Sequence, residues 1–339
     1  MKIGLGFHQK LLTKQNFRFA RQMGATHVVA HLTDYHTHPM DLELHRKMYS
    51  YENLKKLKSE MNEEGLEFHA IENFCPAHWH DVLLDGPKKQ EQLEYLKKII
   101  QSMGEVGIPI LGYNFSIAGV WGLTEKNVAR GKAKTAVFHT PQETPIPNGT
   151  IWNISYDQLA EAGEFPPITH KQLWQRLEYF LSELLPVAED AGVIMAAHPD
   201  DPPLETLRGH ARLVYKPSLY QKLLDIVPSP NNRLEFCLGT IQEMTEGDLY
   251  DTIEQYANKI GYIHFRNVRG KVPQYEEVFL DEGDIDMIKA LKLLKKHNYQ
   301  GVLIPDHTPS TDCDAPWHAG MAFALGYMRA AINSLNHEA

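Results

Sequence analysis

A (β/α)8 TIM barrel with long insertions in its βα loops is the fold this sequence predicts, and three observations predict it. Eight short apolar runs of strand character alternate with amphipathic helical segments, the order that builds right-handed βαβ units around a parallel sheet. Four of the runs end in a residue type that binds metals, and strands whose carboxyl ends open on one face would bring those side chains to one point. The glycine-rich nucleotide loop of a doubly wound open sheet is missing, because GLGFHQ lacks the third glycine at the required spacing.

In chain order the strand-like runs begin with KIGLGF, whose core is residues 3–7, and HVVAHL at 27–32. LEFHAIEN (66–73), PILGYNF (109–115), GVIMAAH (192–198), RLEFCLG (233–239), GYIHFRN (261–267) and GVLIPDH (301–307) follow. Between them YENLKKLKSEMNEEG, KKQEQLEYLKKIIQSMGEVG, HKQLWQRLEYFLSELLPVAEDAG and DIDMIKALKLLKKHNYQG carry apolar residues at three- and four-residue spacing. Several end in glycine, as a helix with a left-handed cap does. No linker composition divides residues 1–339, so one barrel domain is expected, with insertions at 33–51 and 116–170. The second insertion holds prolines, glycines and a basic patch at Arg130, Lys132 and Lys134, and its place after the fourth strand suits a lid over the catalytic face.

Composition narrows the function. A formal net charge of -9 with no clustered Lys/Arg argues against nucleic-acid or anionic-membrane surfaces. No stretch approaches the ~18 unbroken apolar residues of a membrane span, and Met1 leads directly into a strand instead of a signal peptide, so a cytoplasmic protein is expected. Three scattered cysteines, Cys75, Cys237 and Cys313, make no disulfide framework and fit a reducing compartment.

The candidate site lies at the strand ends. MAAHPDDPP places His198, LEFCLGT places Cys237, IHFRNV places His264 and LIPDHTP places Asp306. Burying all four unpaired would be costly, and a shared metal ion resolves that cost. One sulfur, two nitrogens and an oxygen from four separate strands suit a catalytic centre with open positions, and permit zinc, iron, cobalt or manganese. His307, next to Asp306, is placed for acid/base work because imidazole titrates near neutrality. Arg266 and Asn267 past His264, and Tyr113 and Asn114 at the end of the fourth strand, are candidate substrate contacts, with Arg266 able to grip a carboxylate. Asp200 and Asp201 add negative charge near the metal or start a turn ahead of Pro202 and Pro203.

GYNF, AAHPDDPP, FCLGT, HFRNV, GDIDM and PDH, in this order, resemble the motifs of the mannonate dehydratase family, most strongly over residues 190–310. The resemblance implies a TIM barrel that binds Mn2+ and removes water from D-mannonate, giving 2-keto-3-deoxy-D-gluconate in hexuronate breakdown. Motif by motif it puts the metal ligands on His198, Cys237, His264 and Asp306, the catalytic histidine on His307 and the motif arginine on Arg266. It also implies a homodimer or larger assembly. Where the family has a tyrosine after the last strand, this chain reads PWHAGMAFALG and has His318. That change keeps a proton donor, so His307 and His318 are the expected acid/base pair, acting on the C2 proton and the departing C3 hydroxyl. The alternatives are a dehydratase of another sugar acid, a metal-dependent sugar isomerase or epimerase of the xylose-isomerase-like group, and a sugar-acid binding protein without catalysis.

Overall fold

Eight parallel strands close on one another in chain order. They are β1 (Lys2–His8), β2 (His27–His31), β3 (Glu67–Glu72), β4 (Ile110–Tyr113), β5 (Ile194–Ala197), β6 (Asn232–Cys237), β7 (Ile260–His264) and β8 (Val302–Ile304). The ring is sealed where Lys2 and Ile3 of β1 pair with Val302 and Leu303 of β8. This computed structural model describes residues 1–35, 41–140 and 143–337, so parts of both expected insertions, 36–40 and 141–142, lie outside the described residues.

Every strand-like run of the sequence overlaps one barrel strand, but several strands are shorter than their apolar pattern. The strand in 192–198 is Ile194–Ala197 and the one in 301–307 is Val302–Ile304. Cys237 and His264 therefore end their strands, whereas His198 and Asp306 sit one and two residues past theirs. The four quoted amphipathic segments form helices Tyr51–Glu63, Lys89–Val106, His170–Ala191 and Met287–Lys296. Their ends follow local chemistry. Thr169 and Gln172 make a reciprocal capping box at the start of the third, and Gly107 and Gly192 terminate the second and third in the left-handed region that L side chains resist.

Side chains alternate across each strand, so the barrel has an inner and an outer set. Val29, Ala70, Ile110, Ala196, Tyr262, Val302 and Ile304 pack together inside the lumen. Their neighbours in sequence, such as Leu111, Ile263 and Leu303, join the larger core between strands and helices. Gly112 is one inward position where a side chain will not fit: a Cβ there would collide with the Glu235 carboxylate and the Tyr262 hydroxyl.

Over the carboxyl ends lies a four-stranded antiparallel sheet that the sequence reading lacks. Its strands run in the order Asn267–Lys271, Gln274–Val278, Ala133–His139, Leu123–Ala129, so one hairpin comes from the insertion after β4 and the other follows β7. The backbones of Lys134 and Ser310 exchange two hydrogen bonds, tying this roof to the loop after β8.

Candidate metal centre and active site

Strand parity decides which strand-end residues reach the mouth of the barrel. Counting outward in twos from the lumen residues gives His31 above Val29, Glu72 above Ala70, His198 above Ala196, His264 above Tyr262 and Asp306 above Ile304. All five line one cavity of about 460 Å³, together with His8, Tyr35, Asn73, Asn114, Asp201, Arg266 and His307. The insertion after β4 supplies part of its wall through Gly119, Val120, Leu123, Trp152 and Asn153.

Cys237 is fully buried at the floor of this group. One donor atom each from His198, Cys237 and His264 lies within 4.8 Å of the others, and Asp306 Oδ2 is 3.4 Å from His264 Nδ1. The imidazole nitrogens turned away from the centre are engaged. His198 Nδ1 donates to the Pro199 carbonyl at 2.6 Å, and His264 Nε2 lies 3.0 Å from Glu235 and 3.2 Å from Glu72. This leaves His198 Nε2 and His264 Nδ1 as lone-pair donors toward Cys237 and Asp306, the arrangement in which outer carboxylates and carbonyls orient histidine ligands.

The electrostatics ask for a cation. Burial would raise the Cys237 thiol, but Arg266 and hydrogen bonds from His198 and His264 hold it down at about 5, so it is a thiolate at neutral pH. Burial would favour neutral imidazoles, yet hydrogen bonding to Cys237 and the charge of Glu235 push His198 up to about 9, and Asp306 and Glu72 raise His264 well above its ordinary value. Both histidines thus draw protons to balance buried negative charge. A divalent ion would supply that positive charge instead, and the sulfur, nitrogen and oxygen donors present fit one.

Two carboxylates beneath the centre escaped the sequence reading. Burial and the neighbouring charge of Glu72 push Glu235 up to about 7. Glu72, despite its burial, is held down to about 2 by His31 and His264. Like charges in one dry site cannot both ionise freely.

The remaining sequence candidates divide. Asn114 lines the cavity, and its Oδ1 is buried with no hydrogen-bond partner among the described residues, an acceptor available to a hydroxyl. Tyr113, one residue earlier, has the opposite parity and packs its ring 5.4 Å from that of Phe180 on helix His170–Ala191, away from the cavity. Arg266 reaches the cavity wall but is already gripped, by Glu277 and Asp201 at 2.6 Å each and Glu243 at 3.1 Å. It acts as a fixed buried charge behind Asp306 and is not free to clamp a substrate carboxylate. Asn267 is spent on backbone: its amide nitrogen donates to Leu280 and Ile285 and its oxygen accepts from Val268 and Ile285. His318, on helix Pro316–His337, contacts Asn16 Oδ1 through Nε2 at 3.0 Å and packs edge-on against Phe19, outside the cavity.

The two acids of HPDDPP also separate. Asp201 Oδ1 accepts from the Tyr275 hydroxyl, and Oδ2 from Thr240 and Arg266. Asp200 faces the other way, accepting from the backbone of Leu213 and Val214 and pairing with the buried Arg212 at 3.0 Å. Arg212 in turn bonds Ser116 and the Gly119 and Asp201 carbonyls, which fixes two loops of the cavity wall. Asp200→Ala is expected to cost about 3 kcal/mol or more by leaving Arg212 buried without its counter-ion. Denaturant unfolding checks this, and an unchanged midpoint would refute it.

A family model described as D-mannonate dehydratase (UxuA) matches residues 13–336. The mannonate dehydratase of Streptococcus pneumoniae (strain 70585) is 31% identical over 272 residues, 76% of this chain and 73% of that protein. That of Streptococcus equi subsp. zooepidemicus is 32% identical over 217 residues, and the match spans only 59% of its length. Among solved structures, mannonate dehydratase from Streptococcus suis serotype 2 superposes with a TM-score of 0.80 at 25% identity, covering 98% of this chain and 93% of that one. An L-ribulose 3-epimerase has the same fold, with a TM-score of 0.60 at 15% identity over 100% and 97% of the two chains. The extent of the family match, with a curated relative above 30% identity over three quarters of the sequence, shows that the chain belongs to the mannonate dehydratase family of hydro-lyases.

Proposed function

We propose that the protein removes water from D-mannonate to give 2-keto-3-deoxy-D-gluconate, a step of hexuronate breakdown, with a divalent ion, Mn2+ first among the candidates, held by His198, Cys237, His264 and Asp306. The observation that carries this reading is that His198, His264 and Asp306 line one cavity with His307 and Asn114, whose Oδ1 has no hydrogen-bond partner among the described residues, and that buried Cys237 groups with the two histidines, in a chain of this family. When bound, such an ion supplies Lewis-acid polarisation of substrate oxygens. The protein's own groups do the rest. Asn114 accepts a hydrogen bond from a sugar hydroxyl and so orients the chain of the substrate. Buried Arg266 lends a positive charge behind Asp306 as negative charge builds on the substrate carboxylate after loss of the C2 proton. His307 stands at the cavity wall as the group that holds or delivers a proton. His318, bonded to Asn16, takes no part in this reading.

The test is a mass-resolved assay of chelator-stripped protein, with and without Mn2+, on D-mannonate and other hexonates and hexuronates. Metal-dependent loss of one water from D-mannonate is the expected result. Metal-dependent conversion without a change of mass would replace dehydration with isomerisation or epimerisation, and turnover of a different acid would move the substrate.

A further inference from the structure

His307 is followed by an irregular loop, so nothing in the β8 backbone fixes its ring. The ring is instead held from above. Its Nδ1 lies 3.0 Å from each oxygen of the Glu277 carboxylate, while Nε2 lies 3.4 Å from Asp306 on the cavity side. Glu277 itself is buried and braced from several directions. Its Oε1 accepts from Arg266 Nη1 at 2.6 Å, and its backbone carbonyl accepts from the Thr135 hydroxyl of the insertion at 2.7 Å. Its strand pairs on one side with Asn267–Lys271 and on the other with Ala133–His139. The carboxylate is therefore mounted on the middle of the roof sheet, not on a free loop.

We infer that Glu277 is a positioning residue for His307: its carboxylate takes the Nδ1–H, fixing the ring's direction and tautomer, so that Nε2 is the nitrogen that exchanges a proton with substrate. A carboxylate accepts hydrogen bonds only, so a neutral ring facing it must carry its proton on Nδ1. This rests on the reading of His307 as the proton carrier. The competing role for Glu277 is counter-ion to Arg266 alone, but Arg266 already has Asp201 and Glu243, and that role gives no reason for both carboxylate oxygens to face Nδ1.

Glu277→Gln keeps the shape and puts an amide N–H donor within reach of Nδ1, which favours the opposite tautomer, as an aspartate-to-asparagine change does in a serine-protease triad. In the Mn2+-loaded enzyme kcat is expected to fall by ~10²-fold or more with KM little changed. In the His307→Asn background the same substitution should add little, because a group that acts through His307 has nothing left to act on. An equal loss in both backgrounds would overturn the inference. Ring 15N spectra of [15N]histidine-labelled, Zn2+-loaded protein, with the His307 signals identified by their absence from His307→Asn, give a second readout that needs no turnover. A proton on Nδ1 in the wild type supports the pair, and a bare Nδ1 overturns it even if Glu277→Gln fails to fold. Should the wild type leave D-mannonate unchanged, the proposed substrate fails while the spectra still decide the pairing.

Discussion

His307→Asn is expected to lower kcat by ~10³-fold, within the range that a positioned acid/base group contributes, while Mn2+ binding survives. The two halves of this expectation have separate physical grounds. The ring faces Glu277 with Nδ1 and the cavity with Nε2, so its loss removes the proton carrier. The donor set of His198, Cys237 and His264 lies deeper and does not include it. Steady-state rates together with calorimetric Mn2+ titration separate the effects. A variant that keeps near-normal kcat would remove His307 from the chemistry, and one that loses metal as well would move it into the coordination group.

Cys237→Ala should have the second large effect, a fall in metal affinity of more than ~100-fold, since even outer partners of metal ligands are worth 10–100-fold. The thiolate is the softest donor of the four and is held charged by Arg266, His198 and His264. Its removal takes away one negative charge and leaves Arg266 facing one anion fewer. Loading with Co2+ gives an independent sign, because a sulfur ligand produces a thiolate-to-cobalt charge-transfer band in the near ultraviolet. The wild type should show that band and Cys237→Ala should lack it. Equal affinity in both proteins, or no band in either, would place the metal elsewhere.

What the sequence revealed of this site follows from parity. Strand-end residues of metal-binding type stand out because they break an apolar run, and His198, His264 and Asp306 do so, while Cys237 stands out by sharing their strand-end position. Glu235 and Glu72 break their runs too, one two residues short of its strand's end and the other at it, but a strand carboxylate reads as an ordinary solvent-facing position until the strand is known to line a closed barrel. Counting in twos from an inward residue would also have separated Asn114 from Tyr113. Asn267 was misplaced by the length of an apolar run: β7 stops at His264, and Asn267 instead opens the following hairpin. His318 came from aligning a motif along the chain, whereas the turn of helix Pro316–His337 points it to Asn16. Glu277 was invisible for another reason. Nothing near it in sequence announces a site, and the insertion strand that braces it lies 142 positions away.

That separation has a consequence for how the molecule comes together and comes apart. Bringing two segments so far apart in the chain into register carries a loop-closure penalty that a short hairpin cannot offset alone. The barrel meets it beforehand, by setting the loops after β4 and β7 on the same rim. Assembly of the roof is thus conditional on assembly of the barrel, while the reverse dependence is weak. Local opening should release the Ala133–His139 and Gln274–Val278 amides to exchange before those of β6 and β7. A chain in that opened state would keep its cation-binding donors and lose the carboxylate facing His307, so ion uptake and chemical competence would be separable steps in the life of a single molecule.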